Sequence, residues 1–360
     1  MTYPTYLTDE QAEAFGRELD ALRDEVQASL GTDDAAYIRR IINLQRSLDL
    51  SGRALLFAGV LPPCWLSGTA LLSVAKILEN MEIGHNVMHG QWDWMKDPKI
   101  HSTTWEWDIA CPSVQWKHSH NYIHHTYTNV VGMDGDVGYG VLRMSGHQKW
   151  HPIHLGQPVY NAVMATLFQY GVALFQVEVD RVVEGRKRWR DALGDLWTVL
   201  SKTSRQVAKD YIGFPLLAGP FFPWVLAGNL TANVTRNLWA YTIIFCGHFP
   251  AGAHTFRPEA LENETRGRWY ERQLLASCNI EGGPLFHILS GNLSHQIEHH
   301  LFPDLPSNRY AEIAPRVREI CTRYALPYNS GSLVRQFATT LWRVLRLTLP
   351  GGKSLEPVTP

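Results

Sequence analysis

Residues 8–30 carry apolar positions at helical spacing, with Phe15, Leu19, Leu22 and Val26 on one face. Thr8 is placed to cap that helix, and Gln11, three residues on, to complete a capping box. A second helix is expected from about Asp34 to Leu50. The pattern then changes. Residues 54–78 are almost wholly apolar and are interrupted by Pro62 and Pro63. They predict a tight helical hairpin, about 48–62 out and 65–84 back, with both arms near the lower limit of about 17 residues for a membrane span. One broken, re-entrant helix is the other reading. A second apolar pair follows at 211–228 and 232–248, with Asn229 to Asn233 as its connector. Arg236 is awkward in the second arm and is expected near an interface. The weaker stretch 162–175 reads as an interfacial or buried helix. Three parts result: N-terminal amphipathic helices over 1–47, a membrane domain over 48–325, and a C-terminal cytosolic tail over 326–360.

Charge adds an orientation. Arg39, Arg40, Arg46 and Arg53 precede the first hairpin; Arg181 to Arg190, Lys202, Arg205 and Lys209 precede the second; Arg257, Arg266, Arg268 and Arg272 follow it. The expected outer turns carry almost no Lys or Arg, so both termini and the polar regions are expected on the cytoplasmic side. A formal net charge of −1 gives no basic bias toward nucleic acid. The 13 Trp suit a membrane–water interface, or simply a core. The five cysteines are scattered, with no Cys-x-x-Cys pair, which argues against a disulfide framework and a thiolate zinc site. The acidic N-terminal stretch does not read as a signal peptide.

The histidines are clustered. GHNVMHG holds His85 and His89, HSHNYIHH holds His118, His120, His124 and His125, and HQIEHH holds His295, His299 and His300. On an α-helix, positions i and i+4 lie about 40° apart, so two imidazoles can meet one metal, while i+5 points about 100° further round. A His-x-x-x-His-His run can thereby serve two neighbouring metals. Eight imidazoles exceed one tetrahedral zinc and suit two metals. Imidazole suits iron, zinc, copper and nickel alike. Asp134 and Asp136 follow the second cluster and are candidates to accept a ligand's N–H, or part of a Gly/Asp turn.

GHNVMHG, HNYIHHTYTN and HQIEHHLFPDLP resemble the three histidine boxes of the membrane fatty-acid desaturases, in order, spacing and flanks, from about residue 50 to about 325. LFPDLP is similar to the branch containing acyl-CoA and front-end desaturases. The resemblance implies an all-α integral membrane protein: four transmembrane helices in two hairpins, carrying a helical cytosolic cap with a dinuclear metal site. It implies two iron ions, O₂ as co-substrate, and removal of two hydrogens from the acyl chain of an acyl-CoA or acyl-lipid. Residue by residue, His85 and His89 match box one, His120, His124 and His125 box two, and His299 and His300 the pair of box three. The leading place of box three is Gln296 where many members have His, and either Gln296 or neighbouring His295 can fill it. A ninth ligand is expected after the fourth span, where His248 is preferred to His254. Asn292, Glu82 and Glu298 are lesser candidates for supporting roles, and His118 and His287 for outer positions. Trp92, Trp94, Trp105, Trp107 and Trp116 could line an acyl channel, or anchor at the interface.

The chain holds no Gly-rich dinucleotide fingerprint and no Cys₄ iron–sulfur pattern, so a separate ferredoxin, cytochrome or flavoprotein electron donor is expected. The basic run at 181–190 could meet a phosphate-bearing head group or anionic membrane lipid. The rivals are a di-iron hydroxylase or alkane monooxygenase, which would leave an alcohol, a zinc hydrolase, which would want Glu where residue 86 is Asn, and a non-enzymatic membrane binding protein.

Overall fold

The computed structural model describes residues 5–352; the first four and last eight residues, including the end of the expected tail, lie outside the described residues. The chain is almost entirely helical. The capping box forms: the Gln11 N–H donates to Thr8 Oγ1 and the Thr8 N–H to Gln11 Oε1, starting helix Asp9–Ala28. The second helix, Thr32–Phe57, merges the helix expected at about 34–50 with the hairpin arm expected at about 48–62, and its first turn is closed by the Gly31 N–H donating to Asp34 Oδ2. A turn over 58–61 leads to Pro62–Leu78, with its prolines in the first turn, where a missing N–H costs nothing. These two helices cross backbone on backbone. A Cβ at Gly52 would lie 2.8 Å from the Leu72 nitrogen, and one at Gly68 would lie 2.9 Å from the Gly52 oxygen.

The second hairpin differs from the sequence reading. Its rising arm is Trp189–Val207, a π-helix Ala208–Gly213 and the short Phe214–Leu217. It turns at Gly219–Phe221, with Gly219 at φ +56° beside Pro220. It returns as one unbroken helix, Phe222–His248. Asn229 to Asn233 are therefore no connector. They looked like one because they are polar, but their partner lies elsewhere: Asn229 donates to the Asp210 carbonyl and Asn233 to Asp210 Oδ2. Arg236 is likewise not at an interface. It is buried, donating to the side-chain oxygens of Asn237 and Asn233. Asp210 also receives Lys76 Nζ at 2.7 Å and the Arg53 guanidinium at 3.4 Å, which ties the two hairpins together.

Among the described residues no single helix is long and apolar enough to cross a membrane; one pair, Pro152–Thr166 and Phe168–Val183, reaches that length and composition together but is bent by 100°. Beside the hairpins, the N-terminal helix packs on Arg266–Ala276 and Tyr310–Arg323 around Phe15, Leu19, Tyr270, Phe302 and Ile313. The segment after 325 is structured as far as it is described. Ser330–Ser332 pairs in parallel with Asn279–Glu281, and helix Leu333–Leu347 follows.

Candidate metal centre

Box one begins on a π-helix, Glu79–His85, that continues Pro62–Leu78, and box two on a second π-helix, Lys117–His124. The wider i→i+5 turn changes the expected register. Positions i+4 and i+5 now flank i, so His124 and His125 lie on either side of His120, their rings 4.9 and 5.1 Å from its own. His85, His89, His120 and His299 present ring nitrogens within 4.8 Å of one another, and so do His124, His125 and His300. His248 ends Phe222–His248, and its Nε2 stands 3.3 Å from His300 Nε2. Eight of the nine candidate histidines therefore meet in one chamber. His254 turns instead against Phe256, and its carbonyl accepts from Asn129.

His295 is the exception. It was placed four before His299 on a common helix, but that helix is Gln296–Leu301, and His295 precedes it at φ −99°, ψ 55°. Its ring packs on His287 at 4.5 Å, away from the two sets. Gln296 turns inward, with its amide nitrogen 2.9 Å from His248 Nε2. The Asn292 side chain donates to Glu82 Oε2, beside Tyr37 and Ser307, and its backbone bonds to His287 and His295. His118 is exposed, stacked on Tyr122.

Outside the chamber, five imidazoles have an acceptor at Nδ1: Asp134 for His124 (2.9 Å), Asp136 for His120 (3.2 Å), Asn86 for His85 (3.1 Å), Gln273 for His300 (3.0 Å) and the Tyr310 hydroxyl for His299 (3.3 Å). An acceptor at Nδ1 fixes the proton there and leaves the Nε2 lone pair free. Inside, the Nε2 atoms of His89, His124, His125 and His299 are buried without a partner. His85 and His120 set their Nε2 atoms 3.3 Å apart. Burial and the neighbouring imidazoles hold His89, His125, His299 and His300 well below the ordinary imidazole range, so these rings are neutral. Burial works the same way on His124, but Asp134 and Asp136 outweigh it and raise that group. Lone pairs facing one another in a buried space are costly unless a cation lies between them. The donor set, all imidazole and no thiolate, fits iron in two neighbouring positions.

Asn86, Gln273, Tyr310 and Asn129 were not singled out by the sequence pattern. Asn129, at φ 58°, offers its amide to the carbonyls of His248, His254 and Ala276, while its N–H donates to Asp134, so it joins box two to the ninth histidine. Asn86, inside GHNVMHG, and Asn129, at the end of HNYIHHTYTN, had a local signal; Gln273 and Tyr310 had none.

Against this chamber lies a cavity walled by Trp107, Trp116, Tyr139, Phe168, Val172 and Ile244 and opening on His85, His120, His124 and His248. Trp92, Trp94 and Trp105 take no part in that wall. Residues 61–332 match the family described as fatty acid desaturase. The chain belongs to the fatty acid desaturase family. It is 50% identical, over 96% of its length and 82% of the relative's, to the NADPH-dependent stearoyl-CoA 9-desaturase of Mycobacterium tuberculosis. It is 26% identical to the sn-1 linoleoyl-lipid 6-desaturase of Synechocystis, over 76% of this chain and 77% of that one. Human fatty acid desaturase 3 is 28% identical over 67% of this chain and 51% of its own. As a family member the protein is an oxidoreductase of lipid metabolism that desaturates fatty acids.

Proposed function

We propose that the protein removes two hydrogens from a saturated fatty acyl-CoA at a di-iron centre, using O₂ and two electrons from a separate, NADPH-fed donor. The observation that carries the reading is the chamber's set of inward, unpartnered Nε2 atoms against a narrow apolar cavity. His85, His89, His120 and His299 would hold one iron, and His124, His125, His300 and His248 the other. Iron, when bound, supplies the oxygen activation that no side chain offers to an unactivated methylene. The chain's own residues do the rest. Asp134 and Asp136 hold the protons at Nδ1 of His124 and His120, so Nε2 faces inward. Trp116 stacks on His120 at 4.5 Å and, with Trp107, keeps water from the chamber wall.

The CoA carrier rests on the relative's name and on a vestibule outside the cavity, lined by Lys202, Arg205 and Lys209. Lys202 and Lys209 already meet Glu106 and Asp108, which leaves the exposed Arg205 as the cation most open to a phosphate. Membrane residence is part of the proposal. Leu61, Leu66, Leu216, Leu217 and Trp224 are exposed at the tips of both hairpins, as lipid-facing residues would be. Both termini and the chamber would then face the cytoplasm.

The test is expression with a matched reductase, metal analysis, and mass spectrometry of the fatty acids with double-bond location. Two irons per chain and a product lighter by two hydrogens are expected. A product heavier by one oxygen would make the enzyme a hydroxylase, and an unchanged profile with iron loaded would count against the reading.

A further inference from the structure

Between the vestibule and the acyl cavity stands a buried pair of amides. Gln169, on helix Phe168–Phe175, lines the cavity, and Gln206, near the end of Trp189–Val207, lines the vestibule. Trp107 and Ile109 line both spaces, so the pair sits at their junction. Gln206 Nε2 donates to Gln169 Oε1 at 2.8 Å and to the Asp108 carbonyl at 3.2 Å. The second bond settles which way the Gln206 amide faces, because the reverse would set two oxygens together. It leaves two polar atoms, Gln169 Nε2 and Gln206 Oε1, buried and without a partner on residues that are 2% and 5% exposed. Orphaned amide groups are rare in a folded interior and call for an explanation. Here one is a donor and the other an acceptor, at the junction of the two spaces.

We propose that Gln169 and Gln206 fix the head of the acyl substrate: Gln169 Nε2 donates to the thioester carbonyl, and Gln206 Oε1 accepts the nearest amide N–H of the pantetheine arm. The inference rests on the desaturase reading and sharpens its substrate class. A glycerolipid ester offers the carbonyl but no amide N–H, and would leave Gln206 Oε1 unpaired. Holding the carbonyl also fixes how far along the chain the reacting methylenes fall, so Gln169 is a positioning residue for the double bond.

Two stearoyl thioesters separate the contacts: the N-acetylcysteamine thioester, which keeps both carbonyl and N–H, and the butyl thioester, which lacks the N–H. Binding to the purified full-length protein is measured first, because it does not depend on turnover. The wild type should prefer the N-acetylcysteamine compound by about tenfold, the worth of one buried hydrogen bond. Gln206→Leu should lose that preference. Gln169→Leu should weaken both compounds alike and spread the double bond over neighbouring positions. Equal affinity of the wild type for the two compounds, or a Gln206→Leu variant that keeps the preference, would overturn the role of Gln206. Unchanged affinity and an unchanged bond position in Gln169→Leu would overturn the role of Gln169. Gln169→Asn and Gln206→Met serve if a leucine variant does not fold. A wild type that discriminates in binding yet forms no double bond would instead fault the assigned reaction.

Discussion

The histidine chamber and the Asp210 cluster are both buried, polar and built on π-helices, yet they are completed differently. At Asp210 both carboxylate oxygens are met from within the chain, by Arg53 on one and by Lys76 and Asn233 on the other. In the chamber five rings have their Nδ1 met from outside, while inner Nε2 atoms face each other across an unbridged space. A charge whose partners are all present holds helices together. A polar group that folding leaves unmatched marks where something else binds. The Gln169–Gln206 pair lies between the two cases, with one bond closed and two atoms open.

The sharpest test of this contrast is His299→Ala. It should abolish desaturation and lower bound iron, measured by metal analysis, while circular dichroism shows the helical content retained. Retained iron and activity would remove the distinction. Asp210→Ala should do the reverse. It leaves the buried Lys76 with only Asp108 at 3.7 Å and Arg53 with only Asp49, and breaking a buried pair costs about 3–5 kcal/mol. The melting temperature should fall steeply, while iron per folded chain stays the same. Asp134→Asn should sit between them. It exchanges the carboxylate that orients His124 for an amide with one acceptor oxygen and no charge, and weakening such a partner lowers metal affinity by about 10- to 100-fold. A chelator competition curve reads that shift, and the melting temperature of the iron-free protein should fall less than in Asp210→Ala, although the backbone N–H groups of Asn129 and Asp136 also donate to Asp134.

The smallest effect lies at Asp34, buried in the first turn of Thr32–Phe57. Burial alone would raise the Asp34 carboxyl, but Arg309, Asn308 and the Gly31 N–H together hold it below its ordinary value. A lowered folded value means that the stabilisation is full above the ordinary carboxylate range and is lost as pH falls through the folded value. Melting curves of wild type and Asp34→Asn should therefore converge below about pH 4. Curves that stay parallel would show that Asp34 stabilises through packing alone.

Much of this was legible in the sequence, for reasons that are local. Thr8 and Gln11 lie three residues apart, so their capping box could be read directly. Pro62 and Pro63 interrupt an apolar run, and a proline pair breaks a helix, so the bend of the first hairpin was marked there, although the prolines open the second arm instead of lying between the arms. The histidine boxes could be read because one helical stretch carries each cluster. What escaped depended on distant partners. Asn229 and Asn233 are polar in sequence but answer to Asp210, about twenty residues away. Gln273 and Tyr310 reach the chamber from helices that carry no motif. His295 was misplaced by the spot where a helix begins, a boundary that pattern alone seldom resolves.

The π-helix at Glu79–His85 has a consequence for how the gene can vary. Such a turn behaves as an α-helix that has accommodated an extra residue. Deleting one residue between 79 and 84 would restore ordinary helical bonding, and because the wider turn had already absorbed that residue, His85 and His89 would keep nearly the same facing. The side chains inside the turn would change places instead: Glu82, which meets Tyr37, Asn292 and Ser307, would lose those partners. A one-residue gap here would therefore disturb the packing around the chamber before it disturbed the histidines themselves.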